Sequence, residues 1–217
     1  MRVLFMGTPD FSVPVLEALI QSKEHEVVLV VTQPDKPKGR SGKLQYTPVK
    51  EVAEANGIPV FQPQKIKSSE SVKILRRMEY DIAVVVAFGQ ILSKEILDMP
   101  KYGCVNVHAS LLPRWRGSAP IQQAILSGDK KTGVTTMYMD EGIDTGDILL
   151  TKEVLIDSKE TGGSLHDKLS KEGAPLLIET LSQIEKGTLK RIKQPEDGLY
   201  AGMLTKETGK LDFNCQA

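Results

Sequence analysis

Three stretches of this chain, 2–6, 25–32 and 81–88, are runs of apolar and β-branched residues whose centres show no polar alternation: Arg-Val-Leu-Phe-Met, His-Glu-Val-Val-Leu-Val-Val-Thr and Asp-Ile-Ala-Val-Val-Val-Ala-Phe. Strand side chains alternate between two faces, so a strand apolar at successive positions must be covered on both. Helical patterns separate these runs. One begins near Asp10 or Ser12, with Pro14 in its first turn and Val15, Leu16, Leu19 and Ile20 at helical spacing. Others are expected at 47–56, closed by Gly57, at 69–79, and at 118–126; a short strand is expected at 59–61. The longest helix is expected at 164–186, with a kink at Gly173-Ala174-Pro175. Strand and helix in turn specify the α/β class: a doubly wound, mostly parallel, Rossmann-like sheet. The first turn, Gly7-Thr8-Pro9-Asp10, lacks the Gly-x-Gly-x-x-Gly pattern that admits a pyrophosphate, which argues against a nicotinamide dinucleotide.

Residues 104–117 read Cys-Val-Asn-Val-His-Ala-Ser-Leu-Leu-Pro-Arg-Trp-Arg-Gly. The β-formers at the start predict a strand, and Pro113 and Gly117 turn the chain out of it. Asn106 and His108 are two residues apart and therefore project to the same side. An amide can donate to a developing oxyanion, and an imidazole takes up and releases protons near neutral pH, a pairing suited to carbonyl chemistry. If consecutive strands are neighbours, the end of the 81–88 strand lies beside them, and ligands in such sheets bind outside the carboxyl ends of strands. A carboxylate could complete the set. The stretch 134–150 reads as strand, Gly-punctuated turn and strand, the turn carrying Asp140, Glu141, Asp144 and Asp147. Chemistry alone does not single out one of the four, because Asp and Gly are also ordinary turn residues.

The segments Asn-Val-His-Ala-Ser-Leu-Leu-Pro-Arg-Trp-Arg-Gly and Asp-Glu-Gly-Ile-Asp-Thr-Gly-Asp together resemble the signature of the folate-dependent formyltransferases. The opening Val-Leu-Phe-Met-Gly-Thr-Pro-Asp-Phe and the segment Thr-Gln-Pro-Asp-Lys-Pro-Lys-Gly-Arg at 32–40 narrow the likeness to members that act on charged initiator tRNA. The resemblance runs from Arg2 to about Phe213 and implies a formyltransferase fold. It implies acyl transfer from 10-formyltetrahydrofolate to the amino group of methionyl-initiator tRNA, with Asn106, His108 and Asp144 as catalytic residues and no metal. It also implies folate contacts at Ser110, Leu111, Leu112 and Pro113 and at Asp140, and the strand-end position of Phe88, Gly89, Ile91 and Leu92 makes them a candidate wall of the folate pocket. The nearest alternatives are a nucleotide-sugar or glycinamide-nucleotide acceptor and, in another class, a folate- or RNA-binding module without turnover. The intact trio favours an enzyme.

Acceptor choice turns on charge. The chain balances 28 basic against 28 acidic residues, so nothing global draws it to nucleic acid. Between Pro34 and Lys50, however, Lys36, Lys38, Arg40, Lys43 and Lys50 are opposed only by Asp35, and Pro37, Gly39, Gly42 and Pro48 disfavour a helix or central strand. A basic insert at 34–48 suits phosphate contact, and by the resemblance Lys36, Lys38, Arg40 and Lys43 would meet the tRNA acceptor end. His25 and His166 are expected at the surface, Cys104 buried, and Cys215 as a near-terminal thiol. No apolar run reaches membrane-spanning length and no signal-peptide layout opens the chain, so a cytoplasmic protein is expected; separately, a monomer is expected. Residues 1–187 are expected to form the catalytic domain and 188–217 its end and the start of a linker. The smaller β-barrel domain of family members is expected to be absent.

Overall fold

The computed structural model describes residues 1–38 and 43–210. The chain runs β1 (Arg2–Gly7), α1 (Val13–Gln21), β2 (Glu26–Val31), β3 (Lys36–Lys38), β4 (Lys43–Gln45), α2 (Pro48–Ala55), β5 (Val60–Phe61), α3 (Ser69–Arg77) and β6 (Ile82–Val86). It continues through α4 (Lys94–Leu97), β7 (Cys104–His108), β8 (Arg116–Gly117), α5 (Pro120–Leu126), β9 (Lys131–Tyr138), β10 (Ile148–Leu155), α6 (Gly162–Lys186) and β11 (Tyr200–Ala201). Seven strands form the main sheet in the order β10-β9-β7-β6-β1-β2-β5. Neighbours from β7 to β5 are parallel, and β9 and β10 extend the sheet antiparallel.

The predicted two-sided burial is realised residue by residue. On β1, Val3 and Phe5 face the core beneath α1 and α6, whereas Leu4 and Met6 face the core of α3 and α4. On β6, Ile82, Val84 and Val86 join the first core and Ala83 and Val85 the second. Both faces are therefore apolar, and fully burying each large side chain contributes about 1.5–3 kcal/mol.

Local chemistry sets the helix boundaries. Thr47 caps α2 by accepting from the Lys50 N–H, with Pro48 in the first turn. Thr161 and Ser164 form a reciprocal capping box, so α6 starts at Gly162, and Gly187 ends it in the left-handed region at φ +66°. The chain stays helical through Gly173-Ala174-Pro175. Gly173 lets α6 lie close on β7, since a Cβ there would stand 3.1 Å from Val107 Cγ1.

The order of strands fixes where a site can form. From β1 the chain builds outward through β2 to β5, then crosses back to place β6 on the other side of β1. A crevice opens where the winding reverses, at the carboxyl ends of β1 and β6. At the antiparallel end of the sheet, Ile192 bridges Ile148 at the start of β10.

Three surface expectations are corrected. The 34–48 insert is not wholly loop: β3 and β4 pair as a separate antiparallel ribbon, with Pro37 opposite Leu44. Lys50 is no part of a free basic surface. It is buried, bonded to Asp35 at 2.5 Å and stacked 3.7 Å from the centre of the Tyr46 ring. His25 is buried as well, its Nδ1 3.5 Å from the α-amine of Met1, and burial together with that positive charge holds its imidazole below the ordinary value. Lys50 follows the general rule that a charged side chain is buried only when it is paired.

Burial pushes the Asp35 carboxyl up, but hydrogen bonds from Lys50 and Gln62 outweigh it and hold the group below its ordinary value of 3.8. A depressed carboxylate stabilises the fold fully above its unfolded value and loses that contribution as pH falls through the folded one. Asp35→Asn is therefore expected to unfold several degrees below the parent at pH 7, and the gap should close below about pH 4, which thermal melts across pH would record.

Candidate active site

A cleft of about 540 Å³ opens at this crevice, lined by Pro9 after β1, by Val85 and 87–90 after β6, by 106–109 from β7, and by Gly117, Met139, Asp144 and His166. The β7 strand forms at 104–108 as expected, and Asn106 and His108 both reach the cleft. Each is nearly enclosed, at 9% and 6% exposed, so their hydrogen bonds are little diluted by water.

Asp144 comes to them from the turn between β9 and β10. Its Oδ1 accepts from Asn106 Nδ2 at 3.2 Å and its Oδ2 from the Gly117 backbone N–H at 2.8 Å. The same Oδ2 stands 3.6 Å from His108 Nδ1, too far for a hydrogen bond but within reach of an ion pair. The trio is thus assembled, and of the four turn acids it is Asp144 that joins it. An amide carries two N–H donors, so Asn106 retains a second beyond its bond to Asp144.

The partner of one ring nitrogen of His108 fixes the role of that nitrogen. Its Nε2 lies 2.9 Å from the Trp115 carbonyl, which can only accept, so Nε2 carries hydrogen and Nδ1 is the nitrogen turned toward Asp144. Trp115 is fixed in turn: its Nε1 donates to Asp129 at 2.7 Å, and Arg114 binds the same carboxylate through two nitrogens while lying over the indole. The Arg114 hydrogen bonds hold the Asp129 carboxyl below its usual range.

Backbone conformation marks the same place. Ala87, Trp115 and Asp144 have φ of +45°, +61° and +55°, a region non-glycine residues enter sparingly. Ala87 and Asp144 line the cleft and Trp115 supplies the carbonyl to His108, so the strained positions cluster around one centre.

The expected folate contacts divide. Phe88 and Gly89 line the cleft. Leu92 is buried in the core with Ile96 and Cys104, and Ile91 is exposed outside the lining. Ser110, Leu111, Leu112 and Pro113 follow directly on the strand end and are not among the residues that line this cleft. The segment is laced to β9 instead: Thr135 Oγ1 donates to the Ser110 carbonyl at 2.6 Å and accepts from the Leu112 N–H at 3.2 Å. Leu112 packs with Met137 and Ile148, and Leu111 lies over Gly133. Asp140 binds its own turn, accepting from Gly142 N–H and Thr145 Oγ1, and borders a separate cavity of about 390 Å³ beside Cys104. Cys104 is buried as expected, and burial pushes its thiol up to about 12.

Among the expected basic contacts, Lys36 is exposed on β3, and Lys38 and Lys43 face each other in the ribbon register. Arg40 lies outside the described residues, as does Cys215.

Other parts of the site had no sequence signal. His166 was expected on a polar surface; it lines the cleft, edge-on to Phe11 with ring centres 5.3 Å apart. Gly117 and Trp115 act through their backbones, which residue type does not advertise. Gln194, in a polar stretch, is buried and reaches the Asp144 turn.

Among the described residues no helix is long and apolar enough to cross a membrane. The profile of the formyl transferase family matches residues 1–181. A methionyl-tRNA formyltransferase of Agathobacter rectalis is 60% identical over 214 residues, covering 98% of this chain and 69% of the relative. One from Alkaliphilus metalliredigens is 57% identical over 218 residues, covering 100% and 69%. Among solved structures, phosphoribosylglycinamide formyltransferase from Bacillus halodurans superimposes with a TM-score of 0.71 at 30% identity, covering 85% of this chain and 95% of that one.

Proposed function

The chain belongs to the formyl transferase family, and from that premise we propose that it moves a formyl group from 10-formyltetrahydrofolate to the α-amine of methionine carried by initiator tRNA. The 60% and 57% identities to methionyl-tRNA formyltransferases, each over nearly the whole chain, support this acceptor over a nucleotide sugar or glycinamide nucleotide. The single structural observation that carries the chemistry is the convergence of Asn106, His108 and Asp144 at the carboxyl end of β7, inside one chain. A site complete within one chain suits a monomer, and an acceptor used in translation initiation suits the cytoplasm. Residues 1–187 form the catalytic domain on this reading.

The amine attacks the formyl carbon, the carbon–N10 bond of the folate breaks, and the proton lost by the amine ends on N10. Asn106 donates its second N–H to the oxyanion of the tetrahedral intermediate, a contact worth roughly 3–4 kcal/mol. His108 Nδ1 takes the proton that the amine nitrogen sheds as it bonds to the formyl carbon, while Nε2 stays tied to Trp115. Asp144, 3.6 Å away, stabilises the resulting imidazolium, and as the intermediate collapses it relays that same Nδ1 proton to the leaving nitrogen, returning His108 to the neutral form. Phe88 and Gly89 supply a wall for the folate. The polar groups of the trio are preorganised by one another, so little reorganisation is needed as charge develops.

The basic ribbon supplies phosphate contact on this reading. Radiolabelled formyl transfer to charged initiator tRNA, run beside a nucleotide-sugar acceptor, tests the function: product on the sugar alone would replace the acceptor. In the same assay, changing Lys36, Lys38, Arg40 and Lys43 together to alanine is expected to raise KM for charged tRNA by about tenfold or more and to flatten its salt dependence. The KM for the donor should stay within twofold; a parallel loss there would make the ribbon structural.

A further inference from the structure

The segment after α6 lies beyond the 1–181 stretch that the family profile matches, yet it reaches the reaction centre. Arg116 is 1% exposed, and the hydrogen bonds its guanidinium makes among the described residues all go to neutral oxygens. Nε and Nη2 donate to Gln194 Oε1 at 3.0 and 2.9 Å, Nη2 also to the Pro195 carbonyl at 2.7 Å, and Nη1 to the Glu196 carbonyl at 3.3 Å. A buried cation satisfied only by neutral dipoles is costly, and a space needing only to be filled is filled more stably by an apolar side chain.

Gln194 passes the contact onward. Its Nε2 donates to the Asp144 carbonyl at 3.0 Å and to the Gly146 carbonyl at 2.7 Å. From the opposite side, the N–H of Gly117, the residue after Arg116, donates to Asp144 Oδ2. Asp144 is thereby held at both its carbonyl and its carboxylate by the same dipeptide, once directly and once through Gln194. The bond from Gln194 acts on the backbone of Asp144 itself, which stands at φ +55°.

We infer that Gln194, oriented by the Arg116 guanidinium, is a positioning residue for formyl transfer, fixing the backbone of Asp144 so that its carboxylate faces Asn106 and His108. The inference rests on the proposed function for its kinetic test. Positioning matters here because the Asp144–His108 gap is already 3.6 Å, and about 1 Å of misplacement is enough for a loss on the order of 10²-fold.

Two variants of the full chain separate this role from plain packing. Gln194→Ala removes both halves of the bridge. Gln194→Glu keeps an acceptor for Arg116, and gains an ion pair with it, but has no N–H for the 144 and 146 carbonyls. Both are expected to lower kcat by about 30- to 100-fold with each KM within about threefold, and Gln194→Glu should stay folded, its ion pair with Arg116 offsetting part of what the two carbonyls lose. If Gln194→Ala does not fold, Gln194→Glu decides. A kcat for Gln194→Glu within twofold of the parent overturns the inference. Amide exchange at Gly117, read by NMR or mass spectrometry, judges it without turnover: exchange faster by about tenfold in Gln194→Glu supports it, and unchanged protection overturns it. A parent chain that transfers no formyl group would defeat the proposed function alone, leaving the exchange measurement to decide the role of Gln194.

Discussion

Asn106→Ala is expected to lower kcat for formyl transfer by about 10²–10³-fold, equivalent to about 2.7–4 kcal/mol of transition-state stabilisation. Two losses coincide in this variant. The oxyanion loses a donor held in a site where Asn106 itself is 9% exposed, so water does not readily substitute. Asp144 Oδ1 also loses its partner at 3.2 Å, which among the described residues leaves the carboxylate held by the Gly117 N–H alone. Because the ground-state carbonyl carries little charge, KM for both substrates should change far less than kcat. Asn106→Asp should be worse, since it sets a second carboxylate against Asp144. Circular dichroism and titration with tetrahydrofolate would confirm that the Ala variant is folded and binds; near-normal turnover in that variant would remove Asn106 from the mechanism.

The second large effect is expected at Gly146, in the turn that carries Asp144. A Cβ placed there would lie 1.8 Å from the Tyr138 carbonyl oxygen and 2.9 Å from its carbon. Those atoms belong to the end of β9, hydrogen-bonded within the sheet, and cannot swing aside as a flexible side chain would. Gly146→Ala must therefore displace the turn. We expect a loss of stability on the order of 3 kcal/mol and, in whatever stays folded, a kcat reduced together with the misplacement of Asp144. Gly162→Ala provides the control: nothing lies within 4 Å of its Cβ and it sits at the start of α6, so unfolding by denaturant should shift by less than about 1 kcal/mol. Equal midpoints for the two variants would show that the turn tolerates the intrusion.

These expectations draw on parts of the molecule that differ in how openly the chain displays them. The doubly wound core is legible because 2–6, 25–32 and 81–88 each lack alternation, and burial on two faces follows from that pattern alone. The strand 104–108 and the shared side of Asn106 and His108 follow from period-two geometry. Asp144 is not singled out by chemistry, since Asp140, Glu141 and Asp147 offer the same group in the same turn; only the resemblance picked it, and only distances assemble it with His108. In the contiguous run Ser110–Pro113 the hydroxyl of Thr135 ties the Ser110 and Leu112 backbones to β9, a contact across 23 to 25 positions that the motif itself does not display. Lys50 and His25 mislead because polarity predicts exposure until a buried partner, Asp35 or the Met1 amine, is known. Gln194 contacts a residue 50 positions away, a separation over which no local pattern extends.

The two borders of the main sheet have a consequence for how the protein behaves among copies of itself. On one side β5 offers only Val60 and Phe61 to an approaching strand. On the other, β10 is bridged at its start by Ile192 and carries Lys152 and Glu153, both exposed, along its middle. A short rim at one end and a charged, partly capped rim at the other give a foreign backbone little to zip onto, so ordered aggregation by strand addition is disfavoured even when the protein is concentrated.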